Sequence, residues 1–142
     1  MLAITEKMVA RAIITKQKQG QIFVLLVRKQ REPHTFELPG GRRKRDERFV
    51  DALIRELYEE VNLKVSPKDC QQWGHGMFRT TNDPSRDVRT HVYTISGKGN
   101  LKAKNEIIEC RFVSLDRLTH VPLERKTKII LWLYFRFGGS FS

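Results

Sequence analysis

The sequence predicts an α/β/α sandwich in which a mixed β-sheet lies between helices, and three observations carry that expectation. Runs rich in β-branched and large apolar residues recur near both ends of the chain, at 8–15, 21–28, 71–80, 89–96 and 107–114. Two stretches with helical period, 47–61 and 124–137, stand among them. No internal repeat, low-complexity segment or long linker divides the 142 residues, so residues 1–142 are expected to form a single domain.

Met8 to Thr15 and Gln21 to Arg28 flank the polar, glycine-containing stretch Lys16 to Gly20, which predicts a hairpin between them. The second run is apolar at consecutive positions from Ile22 to Val27, as in a strand covered on both faces. From Glu47 the period becomes helical: Val50, Ile54, Leu57 and Val61 fall on one stripe, with Asp46 as the N-cap. Asn62, tolerant of left-handed backbone, is the expected stop. Turn chemistry at Asn82-Asp83-Pro84-Ser85 and Gly97-Lys98-Gly99-Asn100 separates the later strands. The last helix, Glu124 to Phe137, is apolar nearly all round and runs into Gly138-Gly139, so it is expected to be buried or pressed against a partner, which includes a homodimer.

Composition narrows the class. At 39% hydrophobic and 30% charged residues, disordered and fibrous chains are excluded. The longest apolar run, Ile129 to Phe135, falls far short of the ~20 residues a membrane span needs, so no membrane partner is expected. Met1 to Glu6 carry no basic region leading into a long apolar stretch, and no secretory signal is expected. Cys70 and Cys110 are too few for a disulfide scaffold or a zinc site, which points to a reducing, cytoplasmic setting. The 27 Lys and Arg against 16 Asp and Glu, a net of +11, attract polyanions: nucleic acid, free nucleotides or an acidic surface.

Inside this basic chain one helix concentrates carboxylates. Glu56, Glu59 and Glu60 stand at i, i+3 and i+4 and share a face beside the apolar stripe. Like charges at that spacing cost an isolated helix about 0.2 to 0.5 kcal/mol per pair, so something must offset them. A hard divalent cation does so directly, since Mg²⁺ takes carboxylate, water and phosphate oxygens. A solvated acidic face neutralised by Arg55 and its basic neighbours is the plain alternative. Upstream, Phe36-Glu37-Leu38-Pro39-Gly40-Gly41 places consecutive glycines after a short strand, where backbone groups can approach an ion or phosphate with no Cβ in the way.

From Gly41 the chain continues with five residues, Glu47, seven residues, and then Arg55-Glu56-Leu57-Tyr58-Glu59-Glu60-Val61-Asn62-Leu63. This segment resembles the Nudix box, with every fixed position met except one, where Asn62 stands in place of glycine. Matches at all the other fixed positions arise by chance in about one sequence in 10⁵ at average residue usage. The resemblance implies a Nudix-type α/β/α sandwich, and it implies a role for each matched position. Glu56, Glu59 and Glu60 become ligands of Mg²⁺ or Mn²⁺, with the carbonyl of Gly40 as a further ligand. Glu47 and Arg55 orient those carboxylates. A further glutamate from a later loop is implied, for which Glu106 is preferred over Glu109. Arg28 or Lys29, at the end of the second strand, places a cation on substrate phosphate, with Gly41 and Phe36 also toward the substrate.

The implied reaction is hydrolysis of a nucleoside diphosphate linked to another moiety, giving a nucleoside monophosphate and a phosphorylated product. Such a bridge resists water until cations neutralise its oxygens and a base takes the proton of the attacking water. ADP-ribose, (d)NTPs and dinucleoside polyphosphates all remain open as substrates. Arg42-Arg43-Lys44-Arg45 reads as a solvated loop or as a phosphate-collecting rim. Phe36, Trp73, Phe78 and Tyr93 are the aromatic candidates for stacking a base, although a place in the core is the commoner role for such residues. His34, His75, His91 and His120 lack metal-ligand spacing. The alternative function is a non-hydrolytic module that binds a nucleotide or nucleic acid on the same scaffold. The retained glutamates speak against it, because a polyanion-binding surface gains by shedding negative charge.

Overall fold

Among the described residues, eight strands and two α-helices build two sheets with a helix on each outer face. The computed structural model describes residues 7–79, 86–96 and 99–138. The expected turn at Asn82-Asp83-Pro84-Ser85, the first half of the Gly97-Lys98-Gly99-Asn100 turn and the end of the 71–80 strand lie outside the described residues.

The strands are β1 (Lys7–Ile13), β2 (Thr15–Lys18), β3 (Gln21–Lys29), β4 (Glu32–Glu37), β5 (Gly40–Arg42), β6 (Cys70–Phe78), β7 (Val88–Ile95) and β8 (Ile107–Ser114). The first sheet runs β5-β1-β7-β6, with β1 and β7 parallel and the outer pairs antiparallel. In the second, β3 is antiparallel to β2, β4 and β8. The mixed sheet is therefore joined by a separate antiparallel one.

The expected hairpin forms differently. The partner of β3 is β2, the stretch read as a connector, and the turn is Gln19-Gly20, both at positive φ. β1 belongs to the other sheet, between β5 and β7. The chain crosses from sheet to sheet at Ile14, whose carbonyl still accepts the amide of Leu25 at 2.9 Å. Sequence alone shows one continuous run from Met8 to Thr15, because Ile14 is buried like the strand residues before it.

Helix α1 spans Phe49–Val61, with Arg48 at its N-cap, so it starts later than expected and Asp46 is not the cap. Its buried residues are Ala52, Leu53, Leu57, Glu60 and Val61; Val50 and Ile54 are only half-buried. Asn62 ends it at φ 63°, ψ 26°, the left-handed conformation that the glycine of the family pattern would take more easily. Helix α2 spans Arg125–Leu133 and passes into a wider π-type turn, Tyr134–Gly138. It buries Thr127, Ile130 and Leu131 on one face only, and Trp132 is 57% exposed, so the helix is not enclosed as expected.

Strand β3 explains the layering. Leu25 and Val27 pack with Ala10, Ala12, Leu53, Leu57 and Val61 under α1. Val24 and Leu26, pointing the other way, pack with Phe36, Leu38, Val113, Ile130 and Leu131 under α2. Each fully buried Val or Leu contributes about 1.5 to 3 kcal/mol, so a strand buried on both faces anchors the two cores at once.

Candidate active site

The carboxylates of α1 line a cavity of about 500 Å³ whose walls are Glu56, Glu59, Glu60, Asn105 and Glu106. The loop carrying Glu106 is held against the end of α1, where the last carbonyls of a helix need donors. The amide of Lys102 donates to Val61 O and that of Lys104 to Glu60 O, each at 3.0 Å. Asn105, at φ 55°, donates its Nδ2 to Glu59 O at 2.7 Å. Glu106 follows directly into the cavity, while Glu109 pairs with Arg28 and Arg111 outside it.

Arg55 organises the acidic face. Its Nε and Nη2 donate to both oxygens of Glu47 at 2.8 and 2.9 Å, and its Nη1 reaches Glu56 at 2.9 Å and Glu59 at 3.4 Å. The Arg55 hydrogen bonds hold the Glu47 carboxyl far below the usual range, at about 2, helped by the Lys44 amide. Arg55 itself is pushed further up by the same partner.

Glu60 lives in different surroundings. It is 2% exposed; its Oε1 accepts the Gly40 amide at 2.9 Å, and its Oε2 lies 3.1 Å from Lys29 Nζ without a well-directed hydrogen bond. Burial raises its pKa, and Lys29 and the Gly40 amide only partly offset that. Glu37, which shares Lys29, goes the other way: burial also pushes it up, but Arg11 and Lys29 together outweigh it and the net shift is downward.

A second cavity, of about 490 Å³, opens on the opposite face of the first sheet. Lys7, Arg11, Arg31, Arg42, Arg86 and Lys126 line it, against Glu32, Glu37 and Glu124. Gly41 lines this cleft, and on its other side it packs against the carboxylate of Glu56, which lines the acidic cavity. A Cβ on Gly41 would sit 2.5 Å from the carboxyl carbon of Glu56. A Cβ on Gly40 (φ 132°) would collide with the carbonyl of Ala10 on β1.

Three expected site residues need correction. Lys29 is 2% exposed and enclosed by Glu37, Glu60 and the Gly40 carbonyl, so it is an internal cation and not a hand for substrate phosphate. Arg28, which points to the other side of β3, is spent on Glu109 and the Pro33 carbonyl and lines neither cavity. Phe36 is buried in the α2 core beneath the guanidinium of Arg111, leaving no open face for a base. The carbonyl of Gly40, expected as a further metal ligand, accepts from Arg11 at 3.1 Å and Lys29 at 3.3 Å, and the Gly40 amide donates to Glu60. Trp73, Phe78 and Tyr93 also belong to the cores.

The basic run divides. Arg42 lines the cleft, whereas Arg43 lies over the Phe49 ring and donates to the Glu47 carbonyl at 3.0 Å. Of the cations lining the cleft, Lys7, Arg11, Arg31 and Lys126 are not among the residues the sequence singles out. One signal was available: Lys7, Val9 and Arg11 alternate along β1, and a mid-strand arginine on the face opposite Ala10 and Ala12 demands a polar environment.

The residues around Glu60 suit a divalent cation. Four of the five residues lining the acidic cavity are glutamates, whose carboxylate oxygens suit a hard ion, and Glu60 Oε2 is buried with no hydrogen bond. Among the described residues no three acidic, histidine or cysteine side chains are already drawn together at ligating distance, since Arg55 holds Glu56 and Glu59.

A carboxylate helix on one side of the first sheet and a cationic cleft on the other offer oxygen donors for a hard cation and a surface that attracts anions. The NUDIX domain family pattern matches residues 6–133, and the chain belongs to that family. An ADP-ribose pyrophosphatase of Methanocaldococcus jannaschii is 30% identical over 114 residues, covering 75% of this chain and 63% of that protein, so the chain spans less than two thirds of that relative's length. The crystal structure of a nudix hydrolase family member, described as putative, from Chromobacterium violaceum superposes with TM-score 0.73 at 27% identity, over 95% of this chain and 80% of that one. The NUDIX domain of Shewanella oneidensis NrtR, solved with ADP ribose, superposes with TM-score 0.74 at 20% identity, over 89% of this chain and 84% of that one, and shares the fold. No helix among the described residues is long and apolar enough to cross a membrane.

Proposed function

We propose that this chain is a Mg²⁺- or Mn²⁺-dependent pyrophosphohydrolase of a nucleoside diphosphate linked to another moiety, with ADP-ribose as its first candidate substrate. The observation that carries the reading is the junction at Gly41, where the cationic cleft meets the Glu56 carboxylate. The name of the M. jannaschii relative supports the choice of substrate.

In this reading Glu56, Glu59 and Glu60 hold the ion, and Glu47 and Arg55 set the direction of the first two. Bound there, a divalent ion neutralises phosphate oxygens and makes a water more acidic. The cleft cations, Arg42, Arg86 and Lys126 among them, receive the diphosphate and its attached group. Gly41 lets the Glu56 carboxylate lie against the backbone at the edge of the cleft, since no Cβ intervenes. Glu106, on its braced loop, takes the proton of the attacking water. One P–O bond to the bridging oxygen breaks, one forms to the water oxygen, and a nucleoside monophosphate leaves with a phosphorylated partner. The reading places the protein in the cytoplasm, where such nucleotides and reduced thiols occur together.

The test is incubation with ADP-ribose, and with a panel of nucleoside diphosphate derivatives, in Mg²⁺, Mn²⁺ or EDTA, with products identified by mass spectrometry. AMP and ribose 5-phosphate, formed only with metal, are the expected products from ADP-ribose. Tight binding of the panel without turnover would replace this reading with that of a binding module.

A further inference from the structure

The buried charges beneath the acidic cavity form a closed set. Lys29 Nζ contacts Glu60 Oε2 at 3.1 Å, Glu37 Oε1 at 3.1 Å and the Gly40 carbonyl at 3.3 Å. Arg11 reaches the same Glu37 oxygen at 3.0 Å and the same Gly40 carbonyl at 3.1 Å. Two cations and two carboxylates therefore balance inside the protein, and Glu60 has Lys29 as its ion-pair partner. Glu37 is anchored twice and Glu60 once.

We propose that Lys29 is a resident cation that competes with the divalent metal for Glu60 and so sets the affinity of the acidic cavity for metal. The inference rests on Glu60 being a metal donor, as in the function proposed above. A doubly charged ion on Glu60 would stand within a few ångströms of Nζ in a site with little water to screen it, where like charges repel strongly. The ammonium then has one place to retreat, onto Glu37, which already carries Arg11. Metal binding in this chain thus includes the free energy of parting Lys29 from Glu60. Glu37 acts as the counterweight, because the more firmly it holds Lys29 the more freely Glu60 is released.

Two substitutions separate the roles with opposite signs. Lys29→Met removes the competitor and is expected to tighten Mn²⁺ binding about tenfold. Without metal it should melt below wild type, because Glu60 is then buried without a counter-ion, and saturating Mn²⁺ should recover most of the difference. Glu37→Gln removes the counterweight, leaves Lys29 on Glu60, and is expected to weaken Mn²⁺ binding several-fold. Mn²⁺ titration followed by electron paramagnetic resonance, with no nucleotide present, reads both, and circular dichroism confirms that each variant is folded. Unchanged or weaker Mn²⁺ binding by folded Lys29→Met, or tighter binding by Glu37→Gln, would overturn the proposal. If Lys29→Met does not fold, the Glu37→Gln titration decides. Wild-type protein that binds no Mn²⁺ would instead sink the metal reading on which the proposal stands.

Discussion

Gly41→Ala is the most direct probe of the junction between cleft and carboxylates. The backbone tolerates alanine there, since Gly41 is not among the glycines at positive φ. The new methyl would stand 2.5 Å from the Glu56 carboxyl carbon and 2.7 and 2.8 Å from its oxygens. Comfortable contact between carbons begins near ~3.5 Å, so the carboxylate must retreat by about 1 Å. Its hydrogen bond with Arg55, now 2.9 Å, would stretch beyond useful length. A misplacement of that size at a reacting centre costs on the order of 10²-fold in rate, about 2.7 kcal/mol of transition-state free energy. Stability should barely follow. Losing one partly exposed charged contact costs about 1 kcal/mol, and replacing glycine returns about 0.4 to 1 kcal/mol through the unfolded chain. The assay is kcat and KM on ADP-ribose with saturating Mg²⁺, beside a thermal melt, with Gly74→Ala as control because no atom lies within 4 Å of its would-be methyl. A folded Gly41→Ala protein with kcat within twofold of wild type would refute the reasoning.

Three other expectations follow from the same geometry. Glu47→Gln breaks the two-pronged contact with Arg55 and should cost about 2 kcal/mol at neutral pH. Because the Glu47 carboxyl titrates near 2 in the folded chain, against 4.5 ordinarily, its contribution is complete above pH 4.5 and disappears as pH falls toward 2. Melts of wild type and variant should therefore differ by a constant amount from pH 7 to 5 and converge in acid. Arg86→Ala and Lys126→Ala, both lining the cleft, should each raise KM roughly fivefold with kcat little changed, and should flatten the dependence of KM on salt. Asn105→Ala should lose about 2 kcal/mol, one part from the bond to Glu59 O and one from left-handed backbone, whereas Asn105→Gly should lose about half of that in a denaturant titration.

The carboxylate helix was legible because its information is local: α-helical geometry alone puts Glu56, Glu59 and Glu60 together, and Asn62 announces the stop. Strand β8 was legible for a similar reason, with bounds that match the expectation at Ile107 and Ser114. Positions whose meaning depends on distant partners were not. Lys29 and Arg28 are adjacent and equally basic, yet alternation on β3 buries one against Glu60 and sends the other to Glu109. Phe36 faces the core because β4 and α2 close over it, which no local pattern states. The hairpin was misassigned for the same cause: the sheet to which Met8 to Ile13 belong is decided by β7, far along the chain. The cationic cleft draws on β1, the β3–β4 turn, β5, β7 and α2, so only folding assembles it.

The crossing at Ile14 bears on how a ligand enters. One unbroken backbone segment serves both sheets, with β1 ending at Ile13 and β2 starting at Thr15, and the connecting carbonyl is itself bonded into the neighbouring sheet. Residues of both sheets also pack into the same two cores, which opposes the halves swinging apart in the manner of jaws. If the chain hydrolyses a nucleotide as proposed, admission of that substrate falls to side chains and surface loops, whose rearrangements run from picoseconds to microseconds, and turnover is free of the slower gate that whole-lobe rotation imposes.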